Sequence, residues 1–99
     1  MAVVKRTPRF EKDFKKLTRE QRRTFQHVLD TKFLPALDQS PPSFPPSLRV
    51  KRVHGTNGVR EMTWDGDGRM TWQYELEHAP GVTTVILRRV GTHGIFGDP

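Results

Sequence analysis

The chain has 99 residues, enough for one small domain and too few for two. Its 17 Lys and Arg against 11 Asp and Glu leave a formal charge of +6, which favours a polyanionic partner, and nucleic acid before acidic lipid because no basic amphipathic helix ends in an apolar anchor. The lack of Cys excludes disulfides, thiolate metal sites and cysteine nucleophiles; with no signal-like or membrane-length apolar run, the expected location is the cytoplasm and no membrane partner is expected.

Residues 2–5 read as a short strand, two Val followed by a basic pair. Thr7-Pro8 then starts a helix, with Thr as N-cap and Pro at the first helical position, where its missing N–H costs nothing. Phe10, Phe14 and Leu17 fall at i, i+4 and i+7 and form its buried face, with Glu11, Lys12, Asp13, Lys15 and Lys16 on the solvated side. Thr18 opens a second helix with a capping box closed by Gln21, and Phe25, Val28, Leu29 and Phe33 give the buried stripe. Pro35 makes Leu34 the expected last helical residue. The segment D-Q-S-P-P-S-F-P-P-S at 38–47, with four prolines, reads as an extended connector pinned by Phe44.

A β half follows. Strands are expected from Leu48 to Val53, Val59 to Trp64, Arg69 to Leu76 and Val82 to Val90, joined by turns at 54–58, 65–68 and 78–81. In the third of these strands Met70, Trp72, Tyr74 and Leu76 alternate with Arg69, Thr71, Gln73 and Glu75. The β-branched density of the last strand suggests an interior position. Short connections imply an antiparallel meander, so the expectation is an α+β domain: a helical hairpin on one face of a four-stranded or, with residues 2–5, five-stranded antiparallel sheet.

The candidate chemistry gathers at R-R-V-G-T-H-G-I-F, residues 88–96. A histidine of ordinary pKa, about 6.5, can give or take a proton at cellular pH, which makes His93 a candidate, and Phe96, three residues on, can stack on a base. His27, inside a helix, and His78, in a turn, read as solvated. The four histidines have no metal-ligand spacing, so neither metal nor cofactor is expected. Arg19, Arg22 and Arg23 suit a solvated helix face or, were the protein to bind ribosomes, a contact with rRNA phosphate.

The helical hairpin followed by K-R-V-H-G, V-R-E-M-T-W-D-G-D, G-R-M-T-W and R-R-V-G-T-H-G-I-F resembles the RelE/ParE superfamily of bacterial type II toxins, over nearly the whole chain. The closing G-T-H with a nearby Phe resembles its YafQ branch of ribosome-dependent mRNA endonucleases. The resemblance implies that His93 is the catalytic histidine, and that Phe96 is the aromatic after it, one position closer here. Asp67 matches the acidic residue of R-E-x-x-x-x-G-D, and Arg69 the arginine of the RelE branch that acts on the scissile phosphate. Thr63 stands where the YafQ branch carries another histidine, and His54 lies nearer its glycine than the family pattern has it.

Cleavage through the ribose 2′-OH needs a base, cationic stabilisation of the phosphate and an acid for the 5′-oxygen. The candidates are Asp67 or His54 as base, Arg69 with Arg60 or Lys51 on the phosphate, His93 as acid, and Phe96 stacking on a base. The expected function is a translation-inhibiting endoribonuclease toxin, with a cognate antitoxin, mRNA and the ribosome with its rRNA as partners. The alternatives are a ParE-like inhibitor of DNA gyrase, which the His93 and Phe96 ending disfavours, and a basic RNA-binding module without catalysis.

Overall fold

Short-range hydrogen bonding shapes the first half of the chain. In the computed structural model, which describes residues 2–75 and 81–99 and the backbone alone of His93, strand β1 (Ala2–Arg6) leads into helix α1 (Pro8–Lys16). Thr7 caps α1 by accepting the Phe10 N–H at 3.0 Å. Helix α2 (Arg19–Val28) begins with a reciprocal box: Thr18 Oγ1 accepts the Gln21 N–H at 3.1 Å, and Gln21 Oε1 accepts the Thr18 N–H at 2.8 Å. The two helices pack Phe10, Phe14 and Phe25 into a ring cluster with centroids 6.0–6.4 Å apart.

Helical structure continues past Leu34, contrary to expectation. A π-helical turn (Leu29–Phe33) is followed by a short helix α3 (Leu34–Leu37). The wider turn bonds the Leu34 N–H to the Leu29 carbonyl, shifting the register so that Pro35 falls in a first turn, where no N–H is needed. Ala36 and Leu37 are thereby buried. The proline-rich connector is pinned as expected: Phe44 stacks on Phe33 with centroids 5.5 Å apart and lies 5.5 Å from Trp72.

The strand expected from Leu48 to Val53 shrinks to β2 (Lys51–Arg52). Leu48 turns into the core within a 3-10 turn, Pro46–Leu48, and Arg49 takes a left-handed conformation (φ 47°, ψ 46°) to redirect the chain. That conformation costs a residue with a Cβ about 1 kcal/mol. Strands β3 (Arg60–Thr63), β4 (Gly68–Tyr74) and β5 (Thr83–Thr92) complete a sheet of order β1-β5-β4-β3-β2. Leu76 and His78 lie outside the described residues. The meander is antiparallel, but β1 pairs with β5 in parallel, so the sheet is five-stranded and mixed. The helices carry the chain across one face to the far edge, and the last strand of the meander returns beside β1 running the same way. Among the described residues no helix is long and apolar enough to cross a membrane.

Met62, Met70, Trp72, Val85, Leu87 and Val90 face the helices. A bulge sets Thr71 opposite Arg89 but Trp72 opposite Leu87, leaving Arg88 as the extra residue. This keeps Leu87 and Val90 inside while the two arginines between them stay half-buried.

Asp13, expected on the solvated side of α1, is instead only 6% exposed. It lies one turn on from Phe10, on the apolar stripe. Its carboxylate accepts Arg89 Nε at 2.7 Å, Arg89 Nη2 at 3.1 Å and the Val90 N–H at 3.3 Å. The pairing of β1 ends at Arg6 opposite Leu87, so β5 would have an open edge beyond it. Thr7 takes over that edge through its N–H to the Leu87 carbonyl (3.1 Å) and its hydroxyl to the Arg88 carbonyl (2.9 Å), and Asp13 then takes the Val90 N–H.

Candidate functional site

Directly opposed residues in adjacent strands share a face of the sheet. Thr63 opposes Arg69, and Arg69 opposes Gly91, so these three lie on the outer face, away from the helices. Gly68 opposes Thr92. The end of β3, the turn at 65–67 and the end of β5 therefore form one corner.

A 3-10 helix, His93–Gly97, follows β5 at this corner and rests on β4 and β5. Ile95 is buried over Gly91, where an added Cβ would come within 2.9 Å of Ile95 Cγ2. Glycine at 91 is what lets the helix fold back beside the row of Arg69. The segment after the helix is held by arginines: Arg88 Nε donates to the Pro99 carbonyl (3.0 Å), Arg89 Nη1 to the Asp98 carbonyl (2.9 Å), and Arg9 pairs with the Asp98 carboxylate (3.2 Å).

Arg69 is half-buried, and its Nη1 donates to the carbonyls of Asp65 (3.4 Å), Gly66 (3.2 Å) and Gly68 (2.9 Å). Its Nε and Nη2 donors have no partner among the described residues. That edge of a guanidinium takes a phosphate side-on. The turn itself is braced by the Trp64 ring, which lies on Gly68, and by Trp64 Nε1 donating to the Arg69 carbonyl at 2.9 Å. Asp67 is exposed in this turn and makes no hydrogen bond or ion pair among the described residues.

The backbone thus brings Asp67 and Arg69 beside the start of the helix that carries His93; half-buried Phe96 lies later on the same helix. Lys51 shares the outer face, next to Glu61 at 3.6 Å. Thr63 sits directly opposite Arg69. Two candidates from the sequence lie elsewhere. Arg60 opposes Trp72 and so faces the helix side, its guanidinium carbon 4.9 Å from the Tyr74 ring centre and 5.8 Å from that of Trp72. Burial there raises the Tyr74 hydroxyl pKa, partly offset by the Arg60 charge. His54 is in the exposed loop that enters β3, at the other end of that four-residue strand, about 10 Å of chain from the turn.

Sequence reasoning passed over Lys32 and Arg49, which line a cleft of about 320 Å³ together with Arg69, Thr63 and Trp64. A solvated helix position hid the first, and the left-handed turn at Arg49 had no glycine or asparagine to signal it. Among the described residues no group of three or more His, Cys, Asp or Glu side chains is placed to hold a metal ion.

The sequence matches no family model and no curated protein. Solved structures do match. A chain of the Escherichia coli DinJ–YafQ complex superposes with a TM-score of 0.68 at 16% identity, over 95% of this chain and 96% of that one. A copper-bound mutant toxin from Helicobacter pylori gives 0.66 at 20% identity, over 95% and 97%. The archaeal RelE–RelB complex from Pyrococcus horikoshii gives 0.57 at 15% identity, over 94% and 96%. At these identities the likeness is one of architecture, and the chain has the fold of the YafQ and RelE toxins.

Proposed function

We propose that this protein is the toxin of a type II toxin–antitoxin system, a cytoplasmic endoribonuclease that cuts mRNA on the ribosome. The observation that carries this reading is the corner of the outer face, where the pairings of Thr63 with Arg69, Arg69 with Gly91 and Gly68 with Thr92 gather Asp67, Arg69 and the start of the His93 helix. The charge of +6 supports a nucleic-acid partner.

In the proposed reaction Asp67 takes the proton of the ribose 2′-OH, whose oxygen attacks the adjacent phosphorus. Arg69, with one edge already held by turn carbonyls, stabilises the crowded phosphate without reorganising. His93 protonates the departing 5′-oxygen, leaving a cyclic phosphate and a 5′-hydroxyl. Phe96 stacks on a neighbouring base, and Lys51 attracts the strand to the outer face. The placement of Arg60 and His54 argues against their serving the same phosphate. An antitoxin with an acidic segment over this corner would neutralise the activity.

Induction of the chain without its antitoxin should arrest growth and produce discrete cuts within translated messages, mapped by primer extension. Arrest with intact messages and altered DNA topology would instead support the gyrase reading. RNA binding with neither arrest nor cuts would reduce the protein to a binding module.

A further inference from the structure

The cleft beside Arg69 has a construction of its own. Strand β2 covers β3 only at Arg60 and Glu61, so Met62 and Thr63 have no strand partner on that side. The cleft of about 320 Å³ opens past that point. Its floor is apolar: Leu48 is 1% exposed and Trp64 5%. Its rim carries Lys32 from the π-turn, Arg49 from the left-handed bend and Arg69 from β4, against a single acid, Asp65.

Three cations around one opening repel one another, and neither Lys32 nor Arg49 has an acidic partner within ion-pair distance among the described residues. Both are exposed. Arg49 also occupies a backbone conformation that glycine or asparagine would adopt more readily, so the bend alone does not account for an arginine there. A cationic rim over an apolar floor suits a ligand with a planar apolar part and a phosphate, and the volume is at the small end of the range for organic ligand sites.

We propose that this cleft is a second RNA subsite, which holds the nucleotide flanking the scissile linkage: its phosphate lies between Lys32 and Arg49, its base rests on the floor, and Arg69 borders both sites. The proposal rests on the nuclease reading for the identity of the strand. The carbonyls of Asp65 and Gly66 that hold Arg69 Nη1 belong to cleft-lining residues, so Arg69 is shared between the two sites.

The test uses the full chain, a fluorescent single-stranded ribo-oligonucleotide, and programmed ribosomes for single-turnover cleavage. The variants are Lys32→Ala, Arg49→Asn, which keeps a residue tolerant of the left-handed bend, and the double change. The double variant should bind the oligonucleotide about tenfold more weakly at low salt, with a salt slope lower by about 0.7 for the one phosphate lost. A neutral methylphosphonate at the flanking linkage should weaken binding to the parent chain and leave the double variant unaffected. On ribosomes the loss should appear in KM, with maximal cleavage within about twofold of the parent. A parent that cuts mRNA while the double variant keeps its affinity, salt slope and methylphosphonate response overturns the subsite and leaves the nuclease standing. A parent that shows this binding pattern but never cuts RNA removes the nuclease and supports the subsite.

Discussion

Replacing Asp13 tests the strut that holds β5 where the candidate site begins. Asp13→Ala removes three hydrogen bonds: two from the Arg89 guanidinium and one from the Val90 N–H. The pair is sheltered, with side chains 7% and 15% exposed, so Arg89 would be left with a charge it cannot fully hydrate. Breaking a buried pair from one side costs about 3–5 kcal/mol. The lower end applies here, since Arg89 keeps its bond to the Asp98 carbonyl and some contact with water. A loss of about 3 kcal/mol is a large share of the roughly 5–15 kcal/mol that stabilises a domain of this size. At about 4 °C per kcal/mol, the melting temperature should fall by roughly 12 °C.

Asp13→Asn keeps an acceptor without the charge and should cost about half as much. Urea unfolding followed by tryptophan fluorescence measures each change, and the double variant with Arg89→Met closes the cycle. The double change should be milder than the sum of the singles by at least about 1.5 kcal/mol. Single costs below about 1 kcal/mol, or additivity within about 0.5 kcal/mol, would refute the reasoning.

His93→Gln should lower cleavage by ~10²–10⁴ with ribosome affinity intact, whereas Arg69→Ala should weaken both cleavage and RNA binding; unchanged cleavage by His93→Gln would remove that histidine from proton transfer. Gly68→Ala would put a Cβ 2.5–2.8 Å from the Trp64 ring and should cost about 1–3 kcal/mol in thermal unfolding, while an unchanged melting temperature would contradict that packing. The single tyrosine, Tyr74, should titrate above the usual value of about 10 in tyrosinate absorbance, and Arg60→Ala should raise it further. Because the folded chain then holds a proton that the unfolded chain has lost, the corresponding stability is complete below about pH 10 and is lost as pH rises through the raised pKa. A midpoint at or below about 10 would contradict the burial of the ring.

What the sequence determined by itself was set by neighbours in the chain. Thr7 with Pro8, and Thr18 with Gln21, name the helix starts because a cap needs only residues three apart. The D-G-D-G turn and the alternation of Met70, Trp72 and Tyr74 mark the β half for the same reason, and the short motifs around Asp67, Arg69 and His93 were legible in one dimension. The tertiary structure decided what depends on distant partners. Asp13 reads as a solvated acid until Arg89, 76 positions away, supplies the charge that lets it be buried on the apolar stripe. Arg69 reads as the main phosphate contact and Arg60 as its helper, yet strand register turns Arg60 toward Tyr74 and the helices and leaves only Arg69 of the two on the outer face. Lys32 and Arg49 become neighbours of Arg69 only because a π-turn carries the helix past Pro35 and a left-handed residue ends the connector. Local hydrogen bonding is written in adjacent residues, whereas the face a side chain occupies, and the charge it meets there, is fixed by long-range pairing that no short window contains.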